Sequence, residues 1–95
     1  MKEAEHRDIN ELYRVILKLE TLQECRSFFR DLLTEHEINE LAERWKVARM
    51  LTGGASYVEI EKATGASSRT IARVARWVKE GKGGYLLMLD RLRDK

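Results

Sequence analysis

The sequence predicts an all-α fold of six helices in one domain spanning residues 1–95. Three observations carry that prediction. Apolar residues recur at three- and four-residue intervals along almost the whole chain, the period of amphipathic helices. Pro is absent, so nothing breaks those runs from within. Ser/Thr-x-x-Glu signatures open the runs and glycines close them, as helix starts and stops do.

In the first helix Ile9, Leu12, Tyr13, Ile16 and Leu19 form the apolar stripe, with Val15 and Leu17 outside it. Thr21-Leu-Gln-Glu24 reads as a capping box opening a second helix, whose apolar set is Leu22, Cys25, Phe28, Phe29, Leu32 and Leu33. A second box, Thr34-Glu-His-Glu37, opens a third helix that carries Ile38, Leu41, Ala42, Trp45, Ala48 and Leu51 and stops at Gly53-Gly54. Ser56-Tyr-Val-Glu59 opens a fourth, which ends at Thr64-Gly65. Ser67 caps a fifth, which ends at Gly81-Lys-Gly-Gly84. A sixth, Tyr85–Leu92, is apolar nearly all round. Helices one, two and six expose more apolar surface than a chain of 95 residues can cover alone, which predicts a homodimer built from residues 1–52 and 85–95.

Charge is divided along the chain. Residues 1–43 hold 6 basic and 11 acidic side chains, whereas residues 44–95 hold 12 basic and 5 acidic ones. Such a split predicts an anionic partner for the C-terminal half. Within that half, residues 56–79 read as a helix-turn-helix pivoting on Gly65. Ile60 lies five residues before this glycine, and Ile71 and Val74 lie six and nine after it, positions that pack the two helices together. Glu61 departs from the pattern, because a small residue normally stands where the helices approach, so its side chain is expected to lean outward.

Arg69, Arg73, Arg76 and Lys79 then line the second helix, which predicts double-stranded DNA as ligand, read in the major groove by helix 67–80. Ser68, Arg69 and Thr70 fall in its first turn. Arg69 is placed for a bidentate contact to guanine, and Ser67, Ser68 and Thr70 for phosphates or a thymine methyl. Arg73 suits bases or backbone, while Arg76, Lys79 and Lys82 suit phosphates. Two other functions fit the same basic face: RNA or nonspecific nucleic-acid binding, and docking of an acidic protein partner.

The segments LLTEHEINELAERWKVARMLTGG and SYVEIEKATGASSRTIARV, within Leu32 to Lys79, resemble the tryptophan-repressor superfamily, in particular its YerC-like branch. The resemblance implies an intertwined dimer acting as a transcriptional repressor, with half-sites one DNA turn apart, ~34 Å. It also pairs Thr34, Arg44 and Arg73 with residues that hold the amino-acid effector in tryptophan-binding members. Val74 and Trp77 stand where those members have a glycine that leaves room for the indole and a serine that receives the amino group. The resemblance therefore implies a filled pocket and no tryptophan binding; no cofactor is expected, and the sequence does not say whether another small-molecule effector exists. Thr34 then serves helix capping, and Arg44 is expected to pair with an acid such as Glu40.

Nothing else in the chain suggests chemistry. His6 and His36 have no neighbours at metal-ligand spacing, and Gly81-Lys-Gly-Gly84 is not a phosphate-binding loop of Walker type. No nucleophile–base arrangement is present, so an enzyme is not expected. Cys25, the single cysteine, reads as a small buried side chain and fits a reducing cytoplasm. No signal peptide is visible in the charged N-terminus, and the longest apolar run, Tyr85–Leu89, is too short to span a bilayer.

Overall fold

The computed structural model describes residues 2–93, with side chains from residue 6 onward; residues 1, 94 and 95 of the expected domain lie outside that range. Six helices follow one another: α1 (Lys2–Ile16), α2 (Leu22–Leu32), α3 (Glu35–Thr52), α4 (Tyr57–Thr64), α5 (Ser68–Glu80) and α6 (Gly84–Arg93). Contacts group the chain into two units, Met1–Glu35 and His36–Lys95.

In the first unit α1 stops at Ile16, three residues short of the stripe that ended on Leu19. The last turn tightens instead: Lys18 N–H reaches the Val15 carbonyl at 3.0 Å and Leu19 N–H the Ile16 carbonyl at 3.1 Å. This frees the chain to reach the extended conformation that Thr21 adopts as N-cap of α2. Thr21 Oγ1 accepts from Glu24 N–H at 3.0 Å. The return bond differs from the expected box, because the Glu24 carboxylate accepts from Glu20 N–H, one residue earlier, at 2.8 Å.

Phe28 and Phe29 meet edge to face with centroids 5.6 Å apart. Even so, no side chain between residues 6 and 35 is buried. Cys25 is half-buried rather than enclosed. Ile9, Tyr13, Leu17 and Leu22 remain exposed, Leu17 at 81%.

The second unit owns the core, made of Val47, Ala48, Ile60, Ala66, Ile71 and Val74. The α3 contribution corrects the sequence reading. Val47, outside the expected stripe, is fully buried, whereas Leu41, inside it, is 48% exposed. Apolar residues surround much of this helix, so spacing alone could not choose the inward face. The helix closes at its glycines: Gly54 takes φ +90°, and Ala55 N–H bonds the Met50 carbonyl at 3.0 Å.

α4 begins on a complete capping box. Ser56 Oγ accepts from Glu59 N–H at 3.1 Å, and the Glu59 carboxylate accepts from Ser56 N–H at 2.8 Å. The bond from Ser56 N–H, and after it the Ser56 hydroxyl beside the carboxylate, hold the Glu59 carboxyl below its ordinary value of 4.5. A carboxyl whose pKa is lower in the folded chain stabilises it fully above the unfolded value and loses that contribution as pH falls through the folded one. Thermal melts of the protein and its Glu59→Ala variant should therefore differ most near neutrality. The gap should narrow as pH falls below 4.5, and a gap that widened there would contradict the assignment.

Candidate functional site

The turn from α4 to α5 is set by Gly65, which sits in the left-handed region at φ +77° and donates its N–H to the Glu61 carbonyl at 2.9 Å. Thr64 steadies the same corner: its hydroxyl donates to the Ile60 carbonyl at 2.8 Å and accepts from Ala66 N–H at 3.0 Å. Ile60, Ala66, Ile71 and Val74 are all buried, so α4 and α5 are clamped from both sides of the turn. Glu61 is exposed and leaves the close approach uncrowded.

Ser67 is the N-cap of α5, its oxygen accepting from Thr70 N–H at 3.2 Å. The Ser67 hydroxyl also donates to Thr70 Oγ1 at 3.2 Å, which spends the Ser67 proton and leaves the Thr70 proton free to donate. Ser68 and Arg69 are exposed and Thr70 half-buried in this first turn. With Ile71 and Val74 fixed in the core, the opposite side of α5 carries Arg69, Arg73 and Arg76 at i, i+4 and i+7. All three are exposed, as are Lys79 and, just past the helix, Lys82.

One member of this row is not free. Arg76 Nε lies 3.8 Å from Glu80 Oε1. Arg69, Arg73, Lys79 and Lys82 have no acidic partner among the described residues. The row of cations read from the sequence ended on Lys79, one residue before this acid, although the i, i+4 spacing from Arg76 was visible there.

Beside α5 lies a cleft of about 380 Å³ lined by Glu40, Glu43, Arg44, Thr70, Arg73, Val74, Trp77 and Tyr85. Tyr85 also stacks on Trp45, with centroids 6.4 Å apart and rings inclined by 18°. Arg44 does not pair with Glu40 as expected, because Glu40 lies instead 3.6 Å from His36, one turn back on the same helix. Among the described residues, no three His, Cys, Asp or Glu side chains gather as a metal site. None of the described helices is long and apolar enough to cross a membrane.

Residues 7–93 match the family model described as Trp repressor protein. The chain belongs to the Trp repressor family. It is 46% identical over 88 residues to the uncharacterized protein YerC of Bacillus subtilis (strain 168), covering 93% of this chain and 85% of that one. A crystal structure of a candidate Trp repressor from Staphylococcus aureus superposes with a TM-score of 0.89 at 42% identity, covering 94% of this chain and 89% of that chain. A TrpR-like protein from Eubacterium eligens ATCC 27750 also gives 0.89, at 40% identity, covering 90% and 89%.

Within this Trp repressor fold, the positions that the resemblance pairs with effector-holding residues have distinct environments. Val74 is 3% exposed and belongs to the core while also walling the cleft. Trp77 is 55% exposed and lines the cleft. Arg44 and Arg73 line the cleft from α3 and α5, and Thr34 immediately precedes α3.

Proposed function

We propose that this member of the Trp repressor family is a sequence-specific DNA-binding transcriptional regulator, a repressor that acts as a homodimer and needs no tryptophan. The observation that carries the reading is the exposed row of cations on α5, above a turn locked by Gly65 and Ser67. A helix held this firmly on its apolar side, with guanidiniums on the other, suits insertion in a major groove. Arg69 then reads guanine, Ser67, Ser68 and Thr70 contact the groove edge, Arg73 reaches bases or backbone, and Lys79 and Lys82 hold phosphates, with Arg76 on the same face but paired to Glu80.

The dimer is supported by what the single chain leaves exposed. Ile9, Tyr13, Leu17 and Leu22 of the first unit and Leu86, Leu87, Met88 and Leu92 of α6 are each 47–81% open to solvent. Covering a half-exposed leucine contributes roughly 1 kcal/mol, so several together can hold two chains. Residues 1–52 and 85–95 form the dimer contact in this reading, and residues 56–79 the DNA reader.

Selection of bound duplexes from a random library tests the function directly. The expected outcome is an enriched, twofold-symmetric sequence whose binding survives competition by a shuffled duplex. Enrichment of no sequence, or equal competition by the shuffled duplex, would leave only nonspecific adhesion.

The effector-free part rests on the cleft. Val74 and Trp77 supply bulk to its wall, and Glu40 and Glu43 bring acid beside Arg44 and Arg73. Calorimetry with L-tryptophan at up to about 1 mM should give no binding heat. A micromolar dissociation constant would overturn this point.

A further inference from the structure

We infer that Glu80 is a positioning residue that holds Arg76 back from the DNA backbone and so sets how tightly the protein adheres to any duplex; this rests on the DNA-binding reading above. Glu80 is the single acid on α5, and it is the last residue of that helix. An acid there faces the negative end of the helix macrodipole, which disfavours it. Its pairing with Arg76 also runs in the weaker order for an i, i+4 pair, base before acid. Both side chains are largely exposed, Arg76 at 76% and Glu80 at 70%, and the described residues give Glu80 no other ion-pair or hydrogen-bond partner.

Helix stability therefore does not explain the carboxylate. Its effect is on charge. The row Arg69, Arg73 and Arg76 presents one face to solvent, and Glu80 continues that face one turn beyond Arg76. A phosphate approaching Arg76 meets a guanidinium whose charge is partly offset by the carboxylate behind it. Fewer condensed cations are then released on binding, and the affinity is lower than the count of arginines suggests. Phosphate contacts carry no sequence information, so the restraint acts alike on all DNA.

The experiment uses the full-length chain and a random-sequence duplex of about 30 base pairs, followed by fluorescence anisotropy across a salt series. Glu80→Gln should steepen the slope of log K against log salt by about 0.9 per bound protomer. It should also tighten binding roughly five- to tenfold per protomer near 0.1 M salt. Glu80→Asp, which keeps the charge, should stay within about twofold of the parent under the same salt-release logic. Adding Arg76→Ala to Glu80→Gln should abolish the gain.

A Glu80→Gln variant with unchanged slope would overturn the inference, even if its melting temperature moved. A gain that survived the added Arg76→Ala would equally overturn it, because the carboxylate would then not act through Arg76. Failure of the parent protein itself to bind duplex DNA at low salt would instead defeat the DNA-binding reading, and is seen before any variant is compared.

Discussion

Replacing Arg69 by alanine is expected to weaken binding to the selected DNA by about 1–3 kcal/mol, roughly 5- to 150-fold, and to relax the preference at one base position. The physical reason is its place. Arg69 lies in the first turn of α5, two residues after the Ser67 cap, and it is exposed with no acid holding it. A planar guanidinium at that end of the helix can meet the O6 and N7 acceptors of guanine together, which no aliphatic residue replaces. Because the side chain makes no hydrogen bond or ion pair among the described residues and lies outside the core, folding should be unaffected. Far-ultraviolet circular dichroism and melting temperature should therefore match the parent, while repeated selection yields a degenerate base at one position in each half-site. Loss of affinity with specificity intact would assign Arg69 to the backbone instead.

The second large effect is expected at α6. Leu86 and Leu92 are 50% and 52% exposed and line an open groove of about 770 Å³ together with Arg49, Thr52, Gly53 and Gly83. Placing aspartate at both positions, Leu86→Asp with Leu92→Asp, puts two carboxylates into a surface that the proposed dimer must dehydrate. An unpaired charge cannot be buried cheaply, so association rather than the helix is lost. Sedimentation at micromolar concentration should change from dimer to monomer. DNA affinity should fall by at least tenfold, since one half-site contact no longer recruits the second. A double variant that still sediments as a dimer would remove α6 from the proposed interface.

How far the sequence revealed these features depended on what kind of physics each one used. Caps and turns are local chemistry, and they were readable: Ser56 with Glu59, Ser67 with Thr70, and the left-handed Gly65 all sit where the residue types placed them. The clamp of Ile60, Ile71 and Val74 was readable too, because two short amphipathic helices around a fixed turn leave one way to face inward. α3 was harder. It is apolar round much of its surface, so its buried side, Val47 and Ala48, is chosen by the tertiary contacts and not by its own spacing.

Electrostatic pairing was the least readable property. Glu40 had a choice between His36 and Arg44, both one turn away, and the side-chain geometry settled on His36. The Trp45–Tyr85 stack joins α3 to α6 across a separation of 40 residues, where no local rule applies. The cleft at Arg44 and Arg73 illustrates the same limit. Val74 and Trp77 both stand in its wall, but the space beside them is shaped equally by side chains of α3 and α6 that lie far away in the sequence.

The central claim is that cations on α5 replace counterions on a duplex. Its most direct test is the affinity of the purified protein for its selected duplex, measured across a salt series. If each of two protomers engages three or four phosphates, log K should fall against log salt with a slope of roughly −5 to −7. A slope near zero would mean that those arginines and lysines meet no phosphates, and the proposed regulator would be contradicted.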